Sequence, residues 1–267
     1  MPEIIDVAGR RIRHMVVAGS DDAVVLVHGI GGNLGGWVLN QPVLAASGRT
    51  VASFDLPGHG ESARELVSGS LEELSSTLLD YLTAIGIASA HLVGHSMGAA
   101  ICLDAARRRP ARVRSLVLVS PAGLGSPPNL EWARRLITTM DSAALMVVAR
   151  ESVGDPEMIS PPMIEDLMRY KHLDGTVAAQ LRILESVYGG GDVDPRLRQV
   201  LDGLSALVIW GGRDIVLPAL DAQQVRRTNV EFHLFPQCGH QVTLEAAADV
   251  NRLIEHFLDR VERHERC

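Results

Sequence analysis

Strongly apolar runs recur along the chain. Ala23-Val24-Val25-Leu26-Val27 is unbroken, and Val113 to Val119 and Leu204 to Trp210 are apolar from Leu116 and from Ala206 onward. A strand with one wet face alternates polar and apolar, so unbroken runs predict strands covered on both faces. Arg49 to Phe54, the stretch ending in His91-Leu92-Val93-Gly94, and Val230 to Phe235 extend the series. Segments of helical periodicity lie between them: roughly Leu34 to Ala46, Leu71 to about Gly86, the stretch after Ser96 to Arg109, Pro218 to Arg227, and Thr243 to Arg263. Ser70 and Glu73 read as a capping box at the start of the second. Residues 2–17 read as a hairpin around Ala8-Gly9-Arg10. The alternation predicts an α/β protein with a mostly parallel central sheet flanked by helices.

From about Gly123 to Gly203 the alternation breaks. The pattern there is helical and is punctuated by Pro127-Pro128, Pro156, Pro161-Pro162 and Gly189-Gly190-Gly191. An inserted helical cap over 124–202 is expected, within a sheet domain of 1–123 and 203–267. Met140, Met146, Met158, Met163 and Met168 fall in it, with Trp132, Leu136, Leu167 and Leu181. They could form an adaptable apolar roof over a site, although most read equally well as the cap's own core. Such a cap could open and close as a lid.

Ligands of parallel sheets bind at the carboxyl ends of strands, so the turns there carry the candidate chemistry. Gly94-His95-Ser96-Met97-Gly98 is G-x-S-x-G between a strand and a small-residue helix start, the pattern of a nucleophile elbow. Serine needs a base to take its proton. His240, in Gln237-Cys238-Gly239-His240 after the last strand, is the best placed of the ten histidines. Asp214, in Gly211-Gly212-Arg213-Asp214, can orient it. Alone, His240 reads as a solvent-facing loop residue and Asp214 as a turn cap. The order Ser96, Asp214, His240, each after a strand, makes a catalytic triad the stronger reading. A tetrahedral oxyanion would be held by the N–H groups of Met97 and Ile30, with Gly29 and Gly31 bringing that loop close to substrate. The glycines Gly29, Gly31, Gly32, Gly35 and Gly36 do not give a dinucleotide fingerprint, and no P-loop lysine follows. His28 and His59 read as structural hydrogen-bonders, and His95 as packing beside the elbow. Metal-ligand spacing is missing, so neither metal nor other cofactor is expected.

Composition narrows the class further. The chain has 267 residues, 46% of them hydrophobic, enough for one large α/β domain with an insertion. Its net charge of −7 argues against nucleic acid as a partner. No apolar run reaches membrane-spanning length, and no secretory leader is visible. Cys102, Cys238 and Cys267 are odd in number and far apart, which fits a reducing cytoplasmic compartment. Cys102 reads as a small buried hydrophobe within a helix. Low aromatic content, 4%, argues weakly against stacking as the main recognition mode. Homo-oligomer formation is left open.

The triad pattern, His28-Gly29-Ile30-Gly31 and Asp55-Leu56-Pro57-Gly58-His59-Gly60-Glu61-Ser62 together resemble the α/β-hydrolase fold superfamily over nearly the whole length. The nearest resemblance is to the hydrolase-like C-terminal domain of the acyltransferase subunit of acetoin dehydrogenase complexes. It is carried by His28 to Asn40, Asp55 to Ser62, His91 to Ala99, Ser120 to Gly125, Tyr170 to Gly175 and Glu245 to Leu253. In that family a lipoyl domain precedes this unit. Here the chain starts at the hydrolase unit, and its single lysine, Lys171, falls in the expected cap, so no lipoyl-bearing lysine is expected. Meta-cleavage C–C hydrolases and enol-lactonases are similar in layout, but the C–C hydrolases typically show Asn where His95 stands. Dehalogenase relatives use aspartate where Ser96 stands. The resemblance implies a small-molecule acyl substrate, an ester, thioester or lactone. C–C cleavage, or a non-hydrolytic role in an acyltransferase complex, is the alternative.

Overall fold

The computed structural model describes residues 1–124, 127–189, 193–220, 222–225 and 227–265. Gly125, Gly190, Gly191 and Cys267 lie outside the described residues. Among the described residues eight strands form one sheet: β1 (Glu3–Val7), β2 (Arg10–Val17), β3 (Ser20–Val27), β4 (Arg49–Phe54), β5 (Ala90–His95), β6 (Val113–Val119), β7 (Ala206–Gly211) and β8 (Val230–Phe235). Their order is β1-β2-β4-β3-β5-β6-β7-β8. The first hairpin joins antiparallel, and every pair from β4 to β8 is parallel. Sequence-adjacent strands run outward from β3 in one direction and from β5 in the other. The switch point therefore lies between β3 and β5, where such sheets bind ligands.

The unbroken apolar runs have a simple physical cause. Successive residues of a strand point to opposite faces, and here both faces are covered. Val25, Val27, Leu92 and Leu116 pack in one core, against α2 (Leu71–Ala84) and α3 (Met97–Arg108). Val24, Leu26, Val93 and Val117 pack in the other, with Leu44 of α1 (Gln41–Ala46) and Ile254 and Phe257 near the C-terminus. At the amino ends of the strands, buried Arg49 pairs with Glu262 and Asp259. His91 sits beside them, its Nδ1 2.7 Å from Ser115 Oγ, and burial pushes its pKa down to about 3.

Four expected elements differ in detail. The helix expected over Leu34 to Ala46 is a 3₁₀ turn, Leu34–Trp37, followed by α1. Pro42 fits the first turn of a new helix, but inside a continuous one its ring would clash with the Val38 carbonyl. The helix near Pro218 is only α8 (Ala222–Val225). The C-terminal helix is two, α9 (Val242–Glu245) and α10 (Ala247–Glu265), because Ala246 leaves helical geometry at φ −128°, ψ 37°. The capping box is half formed. Ser70 Oγ accepts the Glu73 N–H, but the Glu73 carboxylate accepts from Val67, Ser68 and Gly69 and pairs with Arg10. Burial would raise the Glu73 pKa, but these donors bring it down to about 2.

Between β6 and β7 the described chain is helical: α4 (Leu130–Thr138), α5 (Ser142–Arg150), α6 (Pro161–Lys171), α7 (Thr176–Tyr188) and the 3₁₀ stretch Pro195–Asp202. Leu145, Val153, Ile159, Ile164 and Met168 make a small core of its own. Lys171 Nζ donates to the carbonyls of Leu136 and Ile137, both at 2.6 Å, and so caps the end of α4 with positive charge.

Candidate active site

Ser96 occupies the turn between β5 and α3 at φ 57°, ψ −121°. A non-glycine residue with this backbone is strained and persists only where its surroundings hold it. Here Ser96 N–H donates to Val119 O, and Ser96 O accepts from Ala99 and Ala122. The turn is also too tight for side chains on either side. A Cβ on Gly94 would lie 2.6 Å from Ala99 N, and one on Gly98 would strike Val27 O.

Asp214 and His240 meet behind the elbow. His240 Nδ1 is 2.8 Å from Asp214 Oδ2. The other oxygen, Oδ1, accepts the N–H groups of Val216 and Leu217, both at 2.8 Å, which fixes the plane of the carboxylate. Both residues are buried. A carboxylate is an acceptor only, so opposite Asp214 the Nδ1 carries the hydrogen and Nε2 is left with its lone pair. Among the described residues neither Ser96 Oγ nor His240 Nε2 is taken up by a hydrogen bond. His95 packs its ring 4.8 Å from the His240 ring, and its Nε2 lies 2.9 Å from the His240 carbonyl. Burial, and then the neighbouring His240, push its pKa down to about 3, so it is neutral.

The loop after β3 comes up against the serine. A Cβ on Gly29 would lie 2.8 Å from Ser96 Cβ, so only glycine lets this backbone in. Two buried histidines hold the loop. His28 Nε2 accepts the Leu56 N–H, so its Nδ1 donates to Gly29 O at 2.8 Å. His59 Nε2 accepts the Gly31 N–H, so its Nδ1 donates to Pro57 O at 3.1 Å. Burial lowers their pKa values to about 4 and about 3, and both work as neutral struts. With Gly31 N–H given to His59 and Gly32 N–H to Gly29 O, the Ile30 N–H has no partner among the described residues. Met97 opens α3 and carries one of the N–H groups that a helix start leaves without an internal partner. Asp55, below this loop, accepts from Leu34 and Glu61 N–H, and burial raises its carboxyl pKa.

The insertion is fastened to the His240 loop. His240 N–H donates to Ser152 O at 2.6 Å. Glu245 Oε2 accepts the Gly154 N–H at 2.6 Å, and its two oxygens accept the Gly239 N–H at 2.9 and 3.0 Å. Gly239 packs so closely that a Cβ would lie 2.7 Å from Val153 Cα.

A cavity of about 620 Å³ opens between the sheet rim and the insertion. Ser96, His240, Gly29, Ile30, Gly31, His28 and His95 line it; Asp214 and Met97 lie behind its wall. Trp132, Leu136, Met163 and Leu167 of the insertion line it too. The remaining methionines do not: Met140 is exposed and Met168 is buried in the insertion's own core. Sequence reasoning missed Asp166, Gln241 and Thr243 in the lining and the bridging role of Glu245, whose partner Gly154 is remote in the chain. Placement of Glu245 five positions after His240 was the one available signal. Among the described residues no cluster of His, Cys, Asp and Glu side chains could hold a metal ion, and no helix is long and apolar enough to cross a membrane.

The sequence matches the alpha/beta hydrolase family over residues 24–253. It is 40% identical, over 96% of this chain and 69% of the relative, to the dihydrolipoyllysine-residue acetyltransferase component of the acetoin cleaving system of Pseudomonas putida. It is 31% identical, over 89% of this chain and 86% of the relative, to a 2-hydroxy-6-oxononadienedioate/2-hydroxy-6-oxononatrienedioate hydrolase of Dechloromonas aromatica. Among solved structures, the meta-cleavage product hydrolase CumD of Pseudomonas fluorescens superposes with a TM-score of 0.82 at 21% identity, over 97% of each chain. The expected fold and the expected likeness to the acetoin-system subunit are both borne out.

Proposed function

The chain belongs to the alpha/beta hydrolase family, and we propose that within it the protein is a serine hydrolase acting through an acyl-enzyme on Ser96. One observation carries the reading: Ser96, held at positive φ, and His240, with Asp214 bonded to its Nδ1, face the same cavity. His240 Nε2 takes the Ser96 proton as Oγ attacks the acyl carbonyl. The oxyanion accepts from the N–H groups of Ile30 and Met97. Collapse expels the leaving group, which takes the proton back from His240. Water, deprotonated by His240, then attacks the acyl-enzyme and releases the acid and free Ser96. Asp214 keeps the tautomer and balances the imidazolium. The substrate class is a small or medium ester, thioester or lactone.

The test is labelling with a fluorophosphonate, read by intact mass. One adduct is expected on the wild type and none on Ser96→Ala. Equal labelling of both, or none on folded wild type, would overturn the assignment. The 40% identity to an acetoin-system acetyltransferase component favours a second reading, association with a dehydrogenase complex. Recovery of dehydrogenase subunits by wild type and Ser96→Ala alike, with no ester turnover by the wild type, would favour it.

A further inference from the structure

The walls of the cavity say what kind of acyl group it can hold. Trp37, Trp132, Leu136, Ile159, Met163 and Leu167 give it large apolar side chains. Two of the polar side chains in the lining are already committed to the protein, and Gln241 and Thr243 add uncharged ones. Asn33 Oδ1 accepts the Gly35 N–H at 2.7 Å, and Ser152 Oγ donates to Ala149 O at 2.7 Å. The two lining histidines beside Ser96, His28 and His95, are neutral struts. Among the described residues one lining side chain other than histidine carries charge, and it is a carboxylate, Asp166.

Cations near this wall are directed elsewhere. Lys171 Nζ is spent on the carbonyls of Leu136 and Ile137. Arg135 pairs with Glu151. Arg169 bonds Asp166 Oδ1 at 2.7 Å and lies over the Tyr170 ring, 4.6 Å from its centroid. Asp166 Oδ2 lies 3.9 Å from where a Cβ on Gly35 would sit, and both residues line the cavity. A ligand carboxylate entering here would give up its water and meet apolar walls and a like charge. That desolvation is unpaid unless a counter-charge is supplied.

Resting on the Ser96 reading, we propose that the site takes uncharged acyl groups, and that Asp166 is a specificity-determining residue that turns away acyl groups bearing a free carboxylate. The neutral acyl portion lies along Trp37, Leu136 and Leu167.

The test uses a pair of esters of one shape and two charges, p-nitrophenyl 4-methylpentanoate and mono-p-nitrophenyl succinate, at pH 8. For the wild type, kcat/KM is expected to favour the neutral ester by about 100-fold or more. Asp166→Asn should narrow the gap several-fold, and Asp166→Arg should narrow it further by raising the rate on the succinate. Binding of both esters to Ser96→Ala, by titration calorimetry, gives a readout independent of turnover. Neutral binding at least about 10-fold tighter supports the proposal even if the wild type hydrolyses neither ester, in which case the serine-hydrolase reading fails alone. Equal binding of the two, binding of neither, or a gap unchanged in Asp166→Arg would overturn it.

Discussion

The sheet domain and the helical insertion meet at one cavity but are built differently. In the sheet domain every strand from β3 to β7 buries side chains on two faces, and much of that core is fully excluded from water. The insertion closes a small core around Leu145, Val153, Ile159, Ile164 and Met168. Strain is affordable only on the first kind of support. Ser96 at φ 57° is overdetermined by β5, β6 and α3, whereas the insertion contributes apolar wall. On the proposed reading, reaction chemistry rests on the rim of the sheet and selectivity on the insertion, with the Ser152–Gly154 turn as the seam between them.

The hardest blow to that division is His240→Ala on the sheet rim. Turnover is expected to fall roughly 10⁴-fold or more with folding unchanged by circular dichroism. Near-normal turnover would mean that the chemistry rests elsewhere.

Acid separates the two regions by stability. His28, His59, His91 and His95 all belong to the sheet domain and have pKa values of about 3 to 4, below the ordinary 6.5. Between these values the unfolded chain binds protons that the folded chain refuses. Stability is therefore complete above pH 6.5 and is lost as pH falls toward 4. Asp55, whose carboxyl is raised, opposes this in part. Thermal unfolding as a function of pH should show a plateau above pH 6.5 and a steep fall below it. A flat profile to pH 4 would contradict the neutral-strut account.

Glu245→Ala tests the seam. Releasing Gly239 and Gly154 lets the His240 loop shift, and kcat should fall about 10- to 100-fold with KM little changed. Glu245→Gln keeps an acceptor oxygen and should recover most of the loss; failure to recover would point to charge rather than position. Leu167→Ala, in the insertion wall, should instead raise KM a few-fold and leave kcat nearly alone. The smallest effect is expected from Arg135→Ala, which breaks an exposed pair with Glu151 and should leave Tm and kinetics within error.

The strands were legible because burial on both faces removes polar residues from the sequence itself. Ser96, with Gly94 and Gly98, was legible because sterics at the elbow admit few residue types. Legibility failed where partners are distant. The break at Ala246 follows no local signal, and Glu245 looks like any helical glutamate until Gly154 is folded against it. Asp166 lies on an amphipathic helix and reads as a solvent-facing charge, since nothing in α6 says which side the sheet domain will face. Pro42 was a signal that the expected helix over Leu34 to Ala46 overrode.

The bond from His240 N–H to Ser152 O has a consequence for biosynthesis. Strands β3 to β6 can pair as they leave the ribosome, and Ser96 can reach its turn while later residues are still being added. His240 comes only after β8, and its backbone must then find a turn made much earlier. On the proposed reading, a chain stalled before His240 would carry a strained serine with no base, so Ser96 stays inert until β8 and the loop after it have been made.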